Sequence, residues 1–223
     1  MTAVYLLRHP ETTWNATGRY QGRLEAPLSA QGRRQARLLA ASFEGQRFDA
    51  IVSSPLIRAW ALAVEVAETS RSSLRVDTRL TEIGMGLWEG LFHEEIEGRH
   101  SDLYRQWHSS PGTVIFPGGE GLRDVSARAC SALADVFDAY RNGHVAIVTH
   151  SAVIQVLVAL ALGLDFNDVH LVRVSNASVT TLCGEGPPGS LLTLNAMDAV
   201  YGSPVQGAIA QDCVSWKRRR ITA

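Results

Sequence analysis

Cysteine is nearly absent: Cys130, Cys183 and Cys213 are odd in number, widely spaced and without a CxxC pair. They supply neither a disulfide framework nor a thiolate metal site, and a reduced, cytoplasmic protein is expected. No run approaches the roughly 20 apolar residues that a bilayer span requires, so no membrane partner is expected. The first apolar run starts almost at the N-terminus and leaves no room for a signal peptide. An excess of one charge is missing too. Lys and Arg number 21 against 22 Asp and Glu, a net charge of −1, and the overall field gives nucleic acid no reason to bind. The one basic run, Lys217-Arg218-Arg219-Arg220, reads as a solvated end. There is no internal repeat and no low-complexity linker. With 46% hydrophobic and 19% charged residues, the 223-residue chain can build a sizeable core. One domain over residues 1–223 is expected, with an insertion at about 84–121 and a tail from about 200 to 223. A homodimer is left open.

What is present is a set of apolar runs that end in charge. Val4-Tyr5-Leu6-Leu7 breaks into Arg8-His9, and Val145-Ala146-Ile147-Val148 breaks into Thr149-His150. Between them, Ile51-Val52-Ser53-Ser54-Pro55 leads into a helical stretch with Arg58 in its first turn, Ser54 being the expected N-cap and Pro55 the first helical residue. Helices are expected from Leu28-Ser29 onward (Ala36, Leu39, Ala40 and Phe43 on one face), over 122–140 and over 151–163. Residues 74–76 read as a short strand, 93–109 as one or two short helices, and 8–27 as a polar, turn-rich loop. Three β-rich runs near 169–174, 177–183 and 190–195 lack helices between them, so at least one is antiparallel. The fold class is α/β: a mostly parallel central sheet with helices on both faces and a small helical or loop insertion over the active site. In such sheets ligands sit beyond the carboxyl ends of the strands. Two histidines and two arginines aimed there suit a dense anion, phosphate.

Five motifs then carry a resemblance. Arg8-His9-Pro10-Glu11-Thr12 with Asn15, Gln21-Gly22 and Pro27-Leu28-Ser29 resembles the opening motif of the histidine phosphatase superfamily, also called phosphoglycerate mutase-like. The likeness continues through Ser53-Ser54-Pro55-Leu56-Ile57-Arg58-Ala59, Glu82 with Gly86-Leu87-Trp88-Glu89-Gly90, Pro117-Gly118-Gly119-Glu120 and Val148-Thr149-His150. It implies a phosphomonoesterase for a small phosphorylated metabolite, with mutase and an impaired phosphate-binding protein as alternatives. By the same resemblance His9 is the nucleophile that becomes a phosphohistidine, and Arg8 and Arg58 clamp the phosphoryl oxygens. His150, if protonated, donates where charge builds. Glu82 is the general acid and then the base. Asn15 and Gln21 bind or orient the phosphate, and Ser151 borders the substrate. No metal or other cofactor is implied. Three departures stand out. Pro10 and Ser151 occupy positions where Gly is usual, with Ser151 an expected N-cap, and Ala61-Leu62 replaces the common Gln-Thr. Trp88, Phe92, Tyr104, Trp107 and Phe116 fit either a substrate pocket or the core of the insertion.

Overall fold

The computed structural model describes residues 1–201, so nearly all of the expected tail, with its basic run and Cys213, lies outside the described residues. In chain order the elements are β1 (Thr2–Arg8), α1 (Thr13–Thr17), α2 (Ala30–Ala41), β2 (Ala50–Ser53), α3 (Ile57–Ser70), β3 (Leu74–Val76), α4 (His93–Arg99), α5 (Ser101–Ser109), α6 (Leu122–Ala139), β4 (His144–Thr149), α7 (Ser151–Leu162), β5 (Val179–Gly184) and β6 (Ser190–Ala196). Short 3-10 turns join several of them.

The strands form one sheet in the order β3-β2-β4-β1-β5-β6. The first four are parallel, and β5 then runs antiparallel to both β1 and β6. β1 therefore lies inside the sheet. Its residues are almost continuously apolar because both faces are covered. Val4 and Leu6 point into a core shared with α6, α7 and residues 80–116, while Ala3, Tyr5 and Leu7 point into one shared with α2 and α3. Among the described residues no helix is long and apolar enough to cross a membrane.

Local structure departs from expectation in four places. The loop over 8–27 contains α1, which Thr12 caps by accepting the Asn15 amide. α3 begins at Ile57, behind Leu56 as N-cap, not at Pro55. The Ser54 hydroxyl is drawn instead to the Leu56 amide (3.3 Å) and to His150 Nε2 (2.7 Å). Residues 166–171 form a 3-10 turn rather than a strand, opened by Asp165 accepting the Asn167 amide. His150, not Ser151, is the N-cap of α7. Residues 84–121 hold α4, α5 and two 3-10 turns. Trp88, Tyr104 and Phe116 are core residues there, with Trp88 in edge contact with Phe116 and tilted against Tyr104.

Candidate active site

β1 delivers His9 to the end of the sheet and neighbouring segments fix its backbone on both sides. The His9 amide donates to Thr149 O at 3.0 Å, while its carbonyl accepts the Ala177 amide at 3.2 Å and Asn176 Nδ2 at 3.1 Å. The imidazole is 2% exposed, and Nδ1 lies 2.7 Å from the Pro10 carbonyl. A carbonyl only accepts, so Nδ1 carries the proton and Nε2 keeps its lone pair. Pro10 lacks an amide to donate, but its carbonyl fixes the tautomer that a nucleophile requires.

The cations around His9 are buried and only partly satisfied. Arg58, in the first turn of α3, donates Nη1 to Leu24 O (2.9 Å) and Nη2 to Gly22 O (2.7 Å), and its Nε has no partner. Arg8 donates Nη1 to Val174 O, and its Nε is likewise unpartnered. The nearest carboxylate to Arg58, Glu25 Oε2, is 3.7 Å away and 37% exposed, so solvent screens it. Burial holds both guanidinium pKa values below their ordinary range. The His9 and His150 rings stand 5.2 Å apart. Ser54 Oγ lies within hydrogen-bond distance of His150 Nε2 at 2.7 Å, and the other ring nitrogen, Nδ1, is buried without a partner. Burial first, then the neighbouring arginines, push both histidines well below 6.5. Before an anion arrives His150 is therefore neutral, not the cation considered from the sequence. An incoming phosphate dianion opposes that shift.

Glu82 stands between two helices. Its Oε1 accepts the Ile83 amide at 2.9 Å and the Ala152 amide at 3.2 Å, capping α7 where His150 itself offers no side-chain cap. Its backbone is framed from α6. Arg128 donates to the carbonyls of Arg79, Thr81 and Glu82 and, through Nε and Nη2, to both carboxylate oxygens of Glu120. Arg23 closes the frame, with Nε on Glu82 O at 3.3 Å and Nη2 on Glu120 Oε1 at 2.8 Å. Glu89 joins the loops by accepting the Arg23 and Met85 amides at 3.0 and 2.9 Å. Sequence reasoning passed over Arg128 and Arg23, since a lone arginine on a helix or in a loop carries no spacing signal. Glu120 was visible only as part of a motif.

A cavity of about 270 Å³ opens here, lined by Arg8, His9, Asn15, Gln21, Arg58, Glu82 and Ser151, together with Gly18, Arg19, Tyr20, Gly22 and Met85. His150 is not among the lining residues; it is fully buried, with its ring 5.2 Å from that of His9. Asn15 Oδ1 accepts from the Thr12 amide and hydroxyl at 3.1 and 3.0 Å, which leaves its Nδ2 as the group to face an anion. Gln21 Nε2 donates to Thr12 Oγ1 at 2.9 Å. Of the residues at the departures, Leu62 is fully buried and packs in the core between the sheet and α2 and α3.

The family model described as "Histidine phosphatase superfamily (branch 1)" matches residues 4–197. "Phosphoserine phosphatase 1" of Hydrogenobacter thermophilus is 34% identical over 195 residues, 87% of this chain and 92% of that protein. "Probable phosphoglycerate mutase GpmB" of Salmonella choleraesuis is 30% identical over 82% of this chain and 85% of its own length. Among solved structures, the phosphoserine phosphatase of Entamoeba histolytica in complex with 3-phosphoglyceric acid superimposes with a TM-score of 0.80 at 28% identity, covering 90% of this chain and 100% of that one.

Proposed function

The chain belongs to branch 1 of the histidine phosphatase superfamily, and from that premise we propose that it is a phosphomonoesterase working through a phosphohistidine on His9. The single observation that carries this reading is the His9 imidazole: buried, neutral, its Nδ1 proton committed to Pro10 O and its Nε2 lone pair left free among two guanidiniums. In the first displacement Nε2 attacks phosphorus and the bond to the leaving oxygen breaks, with Glu82 giving that oxygen a proton. In the second, Glu82 takes a proton from water, which attacks the phosphohistidine and releases inorganic phosphate. Arg8, Arg58 and the Asn15 amide hold the non-bridging oxygens, where preorganised donors act in a site largely removed from water. Gln21 orients the loop through Thr12, His150 adds a donor, and Ser151 borders the substrate.

The substrate is read as a small phosphorylated metabolite, with no nucleic acid or membrane component and no metal. The relatives' names include phosphoserine, and one solved complex holds 3-phosphoglyceric acid, both of which join a phosphate to a carboxylate. Phosphate release from p-nitrophenyl phosphate and a panel of phosphorylated acids and sugars is expected without added metal. Activity that survives His9→Ala, or that EDTA abolishes, contradicts the reading. One relative named as a mutase supports a second reading, transfer of phosphate between positions on phosphoglycerate. Measuring isomerisation and phosphate release on the same substrate decides between them, and release is expected to be faster. The site does not favour a non-catalytic phosphate binder, because Pro10 preserves the nucleophile's tautomer.

A further inference from the structure

The cavity contains a third arginine that the phosphate chemistry leaves unused. Arg19 follows the left-handed turn at Gly18 (φ +73°) that ends α1, and it lines the same cavity as Arg8, His9 and Glu82. Its guanidinium carbon lies 4.3 Å from the centre of the Phe92 ring and 5.2 Å from that of Trp14. Trp14 belongs to α1 and Phe92 caps α4, so two separate elements grip the guanidinium from their aromatic faces. Ring faces hold a cation in place without using its N–H donors. Among the described residues no carboxylate pairs with Arg19 and its side chain makes no hydrogen bond. The result is a half-buried guanidinium set against two aromatic rings, its donors unpartnered among the described residues, in the cavity that also holds Arg8 and His9.

We propose that Arg19 binds a carboxylate that the substrate carries in addition to its phosphate. The phosphate end of this inference rests on the function proposed above. A carboxylate fits because one planar guanidinium matches one planar carboxylate through two parallel hydrogen bonds. The phosphoryl group is served differently, by two arginines and several polar side chains. A substrate with a neutral tail leaves the Arg19 donors partly desolvated and unmet, so the site selects for acids by penalising their uncharged analogues.

The test compares 3-phosphoglycerate with glycerol 3-phosphate, which replaces the carboxylate by a hydroxymethyl group. Calorimetric Kd values at fixed ionic strength are measured on His9→Ala protein, which binds without turnover, with and without Arg19→Gln. The acid is expected to bind roughly tenfold tighter or more when Arg19 is present, the scale of a charge-assisted hydrogen-bonded pair, and this ratio falls toward one in Arg19→Gln. Arg19→Lys retains charge but loses the fork and is expected to fall in between; it also serves if Arg19→Gln misfolds. Equal binding of the two ligands to the protein with Arg19 intact overturns the inference, as does a preference unchanged in the variants. Phosphate release by the unmodified protein is read separately. Its absence alongside an intact, Arg19-dependent preference sinks hydrolysis and leaves the carboxylate site standing.

Discussion

Two side chains at the centre of the site make separable predictions. His9 is held neutral by burial and by Arg8 and Arg58. With His9 as the proposed nucleophile, its imidazole stays unprotonated well below the usual histidine range, and the acid limb of kcat/KM is expected to break below pH 6.5. A break above that value, abolished on changing no other group, would contradict the assignment. Glu82 has two jobs that a conservative change can separate. In Glu82→Gln the amide oxygen still accepts the Ile83 and Ala152 amides, so the melting temperature stays within a few degrees of the parent. The proton is lost, however, and kcat is expected to fall about 10²–10⁴-fold for substrates with a poor leaving group, and less for p-nitrophenyl phosphate. Equal losses on both classes of substrate argue against Glu82 as the acid.

At the scale of elements, the loop bearing Glu82 has little regular structure of its own and is held by α6 through Arg128. Arg128→Met removes the donors that organise the carbonyls of Arg79, Thr81 and Glu82 and the Glu120 carboxylate. The expected outcome is a kcat reduced about tenfold or more with a smaller change in KM, since what loosens is the acid and not the phosphate clamp. Gly22 is equally constrained: at φ +53° an added Cβ meets Glu89 Oε1 at 2.1 Å. Gly22→Ala is expected to destabilise by about 1–3 kcal/mol, measured by urea denaturation, and to disturb the Arg58 contact through Gly22 O. The elements were legible in the sequence where hydrophobic period and strand-end charge agree, as in β1, β4, α6 and α7. The convergence of Arg8, His9, Arg58 and Glu82 followed from parallel topology plus resemblance. What stayed hidden is made by tertiary hydrogen bonds. Ser54 looked like a helix cap and instead holds His150, and Ser151 looked like a cap whose work Glu82 does. The 3-10 turn at 166–171 has the apolar residues of a strand but takes its local bonds from Asp165.

Across the whole molecule, the site opposes the stability of the fold. Both imidazoles are buried neutral, whereas in an unfolded chain they titrate near 6.5. Below that pH the unfolded chain takes up protons that the folded one refuses, so stability is fully present above 6.5 and declines as pH falls toward the depressed folded values. Thermal melting is expected to drop between pH 6.5 and 5, with a shallower slope in His9→Asn. An equal slope in that variant speaks against a neutral buried His9. A ligand that supplies negative charge opposes this shift, and inorganic phosphate is expected to raise the melting temperature with the logarithm of its concentration once that exceeds Kd.

The same crowding of positive charge has a kinetic consequence. Nothing in the pocket distinguishes an arriving monoester from the orthophosphate left after turnover, except the organic tail. The spent anion is therefore expected to compete for the seat it has just vacated. Orthophosphate is therefore expected to inhibit hydrolysis competitively, an inhibition that a firmer grip on the rest of the substrate would ease.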